Sequence, residues 1–371
     1  MKDQVSYLEL GYIVRELQFL VGGKIDKIYH PDKSELLFQF HVPSKGKSIL
    51  RVLIPKVIYL TSFKPHTDSP SGFCMALRKH LNGARVREIV QKGSERIVEI
   101  LFERPERLRV IIELFAKGNL VLCRDDYSIV NLLNRDGVKT GQKYEFPKYQ
   151  DFSGLSKDEF IILLGSEELV RALANNLSLG GIFAEEICLL AGVDKKKDVR
   201  DLSKKELDAI FSSYVDMISS VQSANVVFKD DLPLHVLPFH LRSFDSSVKK
   251  DFASFNEAID EVFTQKIESA SVKEAVRLKS AALGKIERTI NIQRKQLGSL
   301  KASARNDQRA GEMIYENYQE IDSLLKAIRA DKKKLSWPEM KEKYVSGKVR
   351  GIDEKTGKVV LEIEDEGLKD E

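Results

Sequence analysis

Apolar positions in the first 150 residues follow two spacings, one helical and one extended. Apolar side chains recur every three or four residues over 8–21 and 71–81, which predicts two amphipathic helices, the first ended by Gly22-Gly23. Because strand-like runs follow one another without helical crossovers, the pattern predicts an α+β domain with mainly antiparallel sheets. We expect its strands at 24–30, 35–42, 48–54, 57–63, 84–91, 96–102, 108–115, 119–123 and 128–133.

After residue 151 the pattern becomes mainly helical. Residues 156–222 predict helices broken at Gly165 and at Gly180-Gly181, and short strands are expected at 225–228 and 234–237. From residue 251 the chain predicts one long helix, which Trp337-Pro338 is expected to stop. A β-hairpin is then expected over 347–364, followed by an acidic end, 364–371, that is expected to fray.

The long predicted helix carries mostly apolar residues at intervals of three and four between Leu283 and Ile328, with Gln293, Asp307 and Gly311 as the exceptions. This spacing is the signature of a coiled-coil seam, which a single helix cannot bury by itself. The partner is a returning helix, a second copy of the chain or another protein, and the sequence leaves all three open.

Composition and motifs narrow the function classes. The chain has 371 residues, a formal net charge of +4 and three cysteines that are far apart. No ligands stand at metal spacing, and neither a signal peptide nor a membrane-spanning stretch is present, so the cytoplasm is the expected location. Because no nucleophile elbow, Walker A loop, zinc-protease motif or dinucleotide fingerprint occurs, we expect neither an enzyme nor a cofactor site.

Local runs of positive charge suggest contacts with RNA phosphates. One run lies at the end of the second predicted helix and in the next strand, where a solvated helix end is the alternative; its candidates are Arg78, Lys79 and Arg85. The other lies on the long helix, where Glu287 and Asp307 are the only acids between 285 and 309. Its candidates for RNA or ribosome binding are Arg288, Arg294, Lys295 and Arg305.

The segment 175–192 has the plan of a helix-hairpin-helix module, with Gly180-Gly181 in the hairpin. Backbone N–H groups at the start of the second helix can face a phosphate. Glu185 and Glu186 lie just inside that helix, however, and would repel one. A hairpin that only packs neighbouring segments together is therefore slightly favoured.

Several stretches of the chain, some of which contain the residues named above, resemble the NFACT family of ribosome-associated quality-control factors. The matching stretches are Leu8–Leu10 with Val14–Leu17, Phe73–Leu81 with Gly83, Arg85 and Gln91–Val98, Gly118–Leu122, and Leu179–Gly192. Phe255–Ile259 and Trp337 with its hairpin are also similar to the family.

The resemblance implies a domain order. An NFACT-N domain, similar to the N-terminal domain of formamidopyrimidine-DNA glycosylases, precedes an all-α helix-hairpin-helix domain and a long coiled-coil helix with a terminal β-hairpin. We expect these parts at 1–150, 151–250 and 251–336, with the hairpin tip and acidic tail at 337–371.

The resemblance also implies a function. Family members bind the large ribosomal subunit that carries peptidyl-tRNA, hold tRNA and promote an untemplated C-terminal tail, whose peptide bonds the ribosome makes. The tRNA-binding signature maps to Glu9, Glu95 and Arg96. Both acids are aspartate in the family pattern, so the charge is kept while one extra methylene changes the reach of each carboxylate.

Two other functions remain as alternatives. A DNA glycosylase of the related fold would need an amine nucleophile, typically an N-terminal proline, whereas this chain begins Met1-Lys2. A fibronectin-binding adhesin, as bacterial relatives are labelled, would need an export signal. Self-association of the chain through its coiled coil is a further possibility, and it is compatible with any of these functions.

Overall fold

The computed structural model describes residues 4–43, 45–63, 70–135, 137–148, 150–152 and 154–363, with the backbone alone over 265–278. Contacts divide the chain into two compact units, Met1–Ser271 and Val272–Glu371. Within the described part of the chain, no helix combines the length and the apolar character needed to cross a bilayer.

One antiparallel sheet dominates the first unit. Its strands are β1 Lys24–Asp32, β2 Glu35–Val42, β3 Gly46–Leu53, β4 Val57–Thr61, β5 Arg85–Gln91, β6 Ile97–Arg104, β7 Glu106–Glu113, β8 Asn119–Arg124 and β9 Ile129–Leu132. Their order is β4-β3-β2-β1-β5-β6-β7-β8-β9. The sheet consists of two halves, because β1 meets β5 only around the pair Lys24–Arg85. The predicted α+β class is confirmed.

Both faces of strands β6 to β8 are buried. Side chains of Val98, Ile100 and Phe102 face the main core, which extends through both halves of the sheet. The alternate positions, such as Ile97, form a second cluster with Ile111 and with the aromatic side chains of 144 and 146. Cys123 lies in this second cluster, where burial raises the pKa of its thiol to about 12. All three cysteines are buried and free.

Two helices pack on the sheet, as predicted. They are α1 Tyr7–Leu17, continued by a 3-10 turn at Gln18–Leu20, and α2 Gly72–Leu81. Ser6 and Glu9 form a capping box at the start of α1. Ser71 caps α2 by accepting the backbone N–H of Cys74 at 3.1 Å.

The rest of the first unit is mainly helical. It contains α3 Lys157–Leu164, α4 Leu169–Arg171, a π-helical turn at Ala172–Asn176, α5 Gly181–Ala191 and α6 Lys204–Ile218. A small sheet follows, with β10 Asn225–Lys229, β11 Leu232–Leu237 and β12 Val248–Asp251 in the order β11-β10-β12. The first two of these strands were predicted, whereas β12 was missed because its largely exposed Val-Lys-Lys-Asp sequence lacks apolar alternation.

The long helix α7, Phe255–Glu316, begins against the first unit. Glu16 of α1 accepts the backbone N–H groups of Phe255 at 2.6 Å and Asn256 at 2.8 Å, so a carboxylate caps the positive end of the helix. Asp260 accepts the hydroxyl of Thr61 at 2.6 Å. These polar contacts hold the first turns of α7 on β4 and on α1.

The second unit contains the rest of α7, then α8 Tyr318–Asp331, α9 Trp337–Tyr344 and the hairpin β13 Val349–Ile352 and β14 Val359–Leu361. The predicted hairpin is confirmed but shorter, and the acidic tail lies outside the described residues. The expectation that Trp337-Pro338 stops the long helix is wrong. That helix is interrupted at Asn317 and α8 ends at Asp331, whereas Pro338 lies in the first turn of α9, where proline is tolerated.

The apolar seam of α7 is exposed. Leu283, Ile286, Ile290, Leu297 and Leu300 are between 41 and 66% exposed, and no described residue covers them. The predicted long helix is present. Because its seam is uncovered here, the pairing of the seam in a coiled coil stays a prediction.

Candidate nucleic-acid interface

A cleft of about 420 Å³ lies where the end of the sheet, the start of α1 and the hairpin before α5 meet. One wall carries Ser6, Tyr7, Glu95 and Arg96, with Phe115 beside them. The other carries Asn175, Ser178 and Gly180. This Arg96 cleft brings together two features that the sequence indicated separately, the Glu95-Arg96 pair and the Gly180-Gly181 hairpin.

The Glu95-Arg96 pair is held at the start of β6 and is partly buried. Arg96 donates from Nη1 to Oε1 of Gln4 at 2.8 Å, and its carbonyl accepts the N–H of Leu114 at 2.8 Å. Burial lowers the pKa of Arg96 and raises that of Glu95, and in each case the neighbouring opposite charge opposes the shift. Charges that are partly shielded from water interact more strongly with a ligand than fully solvated ones.

The opposite wall presents backbone polarity. Ser178 has a φ of 52° and Gly180 a φ of 78°, so the chain turns sharply before α5. No side chain caps the start of α5, which leaves its first N–H groups for an anionic group. Asn175 and Ser178 are exposed at the rim and add polar side chains.

The two glutamates of α5 do not act as the sequence suggested. Glu186 is 2% exposed and accepts the backbone N–H groups of Arg242 at 2.7 Å and Ser243 at 2.9 Å. Glu185 pairs with Lys195 at 2.9 Å. Neither glutamate lines the Arg96 cleft, and the charge of Glu185 is offset by its ion pair with Lys195, so the expected repulsion of a phosphate at this helix start is reduced. Glu186 holds α5 against the backbone of 242 and 243, which is a packing contact of the kind that the favoured alternative expects.

Glu9 does not line the Arg96 cleft. Its side chain is 6% exposed, and its carboxylate accepts the hydroxyl of Ser6 at 2.7 Å. It borders a small cavity of about 20 Å³ that Phe255 of α7 also lines. Glu9 therefore has no direct contact with the cleft. It binds Ser6, which precedes α1 and lines the cleft.

The first group of basic candidates has mixed surroundings. Arg78 donates from Nε and Nη2 to the carbonyl of Ile28, at 2.9 and 2.6 Å. Arg85 donates from Nη1 to the carbonyl of Gly22 at 2.7 Å. Both guanidinium groups therefore bind backbone of the first unit, which neither sequence interpretation predicted. Lys79 is exposed.

The second group lies on the exposed part of α7. Arg288, Arg294, Lys295 and Arg305 are exposed, and none has an ion-pair partner among the described residues. At about 100° per residue, these four positions are centred roughly 120° around the helix from the apolar seam. They span about 26 Å of helix. The seam can therefore be covered while the basic side remains accessible.

Comparison with known proteins decides the family. A family model described as NFACT N-terminal and middle domains matches residues 6–353. The chain belongs to the NFACT family. A protein of Methanocaldococcus jannaschii named archaeal Rqc2 homologue aRqcH is 31% identical over 401 residues, which cover 99% of this chain and 59% of that protein. The human ribosome quality control complex subunit NEMF is 26% identical, over 92% of this chain and 35% of that protein.

The human relative is named as a subunit of a ribosome quality control complex, and the chain spans 59% or less of the length of each of these two relatives. Among solved structures, the fibrinogen binding protein from Staphylococcus aureus aligns with a TM-score of 0.56 at 20% identity, over 69% of this chain and 97% of that chain. The N-terminal part of the fibronectin/fibrinogen-binding protein from Streptococcus suis aligns with a TM-score of 0.56 at 19% identity, over 71% of this chain and all of that chain. These structures share the fold.

Proposed function

We propose that this chain is the RNA-binding part of a ribosome quality-control factor. In this proposal it binds the large ribosomal subunit that carries a stalled peptidyl-tRNA, holds tRNA and promotes untemplated C-terminal tailing of the nascent chain. The ribosome makes the peptide bonds. The names of the relatives support a role in ribosome quality control. The Arg96 cleft and the basic side of α7 support contacts with RNA.

One observation carries the tRNA contact: Arg96 shares a cleft with the uncapped start of α5. A guanidinium and a helix start both bind phosphate oxygens, and Glu95 beside them can accept from a base amino group or a ribose hydroxyl. A cleft with two phosphate-binding groups and one acceptor suits a single-stranded loop of a structured RNA better than a duplex, whose base edges face inward.

Glu9 has a different place in this proposal. Because its carboxylate binds Ser6 at the start of α1, it acts as a positioning residue for the wall of the cleft formed by Ser6 and Tyr7. The basic side of α7 supplies the ribosome contact. Its exposed charges are spaced along one side of a helix, which suits the backbone of a large folded RNA.

The proposal is tested by co-sedimentation of the purified chain with large ribosomal subunits. We expect binding that weakens by roughly a hundredfold or more between about 50 and 200 mM salt, because several phosphate contacts release counterions. The same salt series with total tRNA in place of the subunits measures the binding of tRNA. Absence of binding to both RNAs at the lower salt concentration contradicts the proposal.

Two variants separate the two contacts. Arg96→Ala is expected to weaken tRNA binding about tenfold and to leave subunit binding almost unchanged. Charge reversal on α7, with Arg294→Glu, Lys295→Glu and Arg305→Glu combined, is expected to do the opposite. Arg107→Ala is a matched control, because Arg107 is 57% exposed at the far end of β6 and β7. Equal losses of both activities in either variant would show that the contacts are not divided in this way.

A further inference from the structure

A second cavity adjoins the Arg96 cleft. It measures about 360 Å³, and Tyr7 and Ser94 line both spaces, so they form the partition between them. Gly11 and Arg15 of α1 border its far side, and Gln91 and Gly93 border it from the sheet. None of the residues that line this second cavity belongs to the signature of Glu9, Glu95 and Arg96.

The second cavity carries a fixed acceptor. Gln91 donates both amide hydrogens to backbone carbonyls, of Tyr7 at 2.9 Å and of Glu95 at 2.9 Å. Because two carbonyls can only accept, the orientation of the amide is determined and Oε1 points the other way. That oxygen is directed to Gly11, since a Cβ built there would stand 3.3 Å from it. No described residue donates to this Oε1.

The second cavity also has a cation at its rim, one acidic residue, Asp151, and apolar walls. Arg15 is exposed, and its guanidinium lies 3.9 Å from the centre of the Tyr12 ring, which orients it without neutralising its charge. It has no ion-pair partner among the described residues. Leu8 and Phe152 are buried in the wall and offer apolar contact to a planar group.

We propose that the second cavity is a subsite for one nucleotide of the RNA strand that the Arg96 cleft holds. The base enters beside Leu8 and Phe152 and donates an exocyclic amino group to Oε1 of Gln91, and Arg15 binds the phosphate. The bound strand then crosses the partition of Tyr7 and Ser94, with Arg96 at one end and Arg15 at the other. This inference rests on the proposed function, because it takes RNA to be the ligand of the cleft.

Gly11 is essential to this arrangement. A side chain at residue 11 would stand between Oε1 of Gln91 and the cavity. Glycine in the middle of a helix is otherwise unfavourable, because alanine has a higher helix propensity. Gly11→Ala therefore keeps or improves the helix while it shields the acceptor.

The phosphate contact is tested with total tRNA. Arg15→Ala is expected to weaken tRNA binding about tenfold and to lower the salt slope by about one, whereas Arg107→Ala, which removes the same charge elsewhere, leaves both unchanged. If Arg15→Ala binds like the unaltered chain while Arg96→Ala is impaired, the subsite is absent and the proposed function stands. If neither variant is impaired, the proposed function itself fails.

The base contact is tested with single-stranded heptamers of cytidine and of uridine. Cytosine carries an amino group and uracil does not, so the unaltered chain is expected to bind the cytidine heptamer about fivefold or more tightly. Gly11→Ala is expected to abolish that preference while circular dichroism remains unchanged. Equal affinity of the unaltered chain for both heptamers overturns the inference, as does a preference that survives in Gly11→Ala.

Discussion

Gly118→Ala is expected to lower the free energy of unfolding of the first unit by about 3 kcal/mol or more. Gly118 lies in the turn between β7 and β8 with a φ of 67°. A Cβ built there would overlap with Cγ2 of Ile54 and would stand 2.7 Å from Cβ of Pro55. The added methyl group would therefore force the two halves of the sheet apart, in addition to the strain of a left-handed backbone.

The backbone strain alone is measured by Gly141→Ala. Gly141 has a φ of 88°, and a Cβ there would meet nothing within 4 Å, so only about 1 kcal/mol is expected. Urea unfolding followed by circular dichroism gives both values. The fluorescence of Trp337, the only tryptophan, reports the second unit and is expected to be unaffected. Similar losses for the two glycines would show that the contact with Ile54 and Pro55 relaxes easily.

The sheet of the first unit was predictable because its strands are short apolar runs separated by turn residues. Each of its nine strands was placed to within two residues at both ends. The pairing of β1 with β5 was not predictable, because it joins strands that lie far apart in the chain through the single pair Lys24–Arg85. The packing of Tyr144 and Phe146 on the second cluster was not predictable either, because their segment shows no apolar periodicity.

Two local signals in the sequence were present but given another meaning. Ser6 and Glu9 have the spacing of a capping box before an apolar run, which indicates a structural task for Glu9. Ser336 and Glu339 have the same spacing, and they mark the start of α9 at Trp337. The start of α1 was predicted to within one residue, and only the capping role of Glu9 was missed, whereas at Ser336 the whole of α9 was missed because Pro338 indicated a helix end.

The Arg96 cleft could be predicted only in parts. Glu95, Arg96 and Gly180 were each indicated by the sequence, but their meeting depends on how the hairpin before α5 packs on the sheet. Phe115 and Ser178 gave no signal, because an aromatic residue after a strand and a serine before a glycine are common. The hydrogen bonds of Glu186 could not be predicted either, because their donors are the backbone N–H groups of 242 and 243, which are distant in the sequence.

Arg51→Ala is expected to destabilise the first unit by about 3–5 kcal/mol, because it leaves a buried carboxylate without its partner. Arg51 is 1% exposed and lies 2.7 Å from Oε1 of Glu35. It also donates to the hydroxyl of Thr264 in α7 at 3.3 Å, and its guanidinium lies 4.8 Å from the centre of the Phe63 ring. Urea unfolding followed by circular dichroism measures the loss.

The double variant Arg51→Met with Glu35→Leu separates the charge effect from lost packing. Because replacing both members of a buried ion pair by apolar residues of similar volume is often neutral, we expect it to recover stability to within about 1 kcal/mol of the unaltered chain. The bond to Thr264 is lost in both variants, so hydrogen exchange in the first turns of α7 is expected to rise in both. If the double variant is as unstable as Arg51→Ala, the packing of Arg51 outweighs its charge. If exchange at α7 does not change, the bond to Thr264 contributes little, and the other contacts of these turns, such as those of Glu16 and Asp260, anchor the helix.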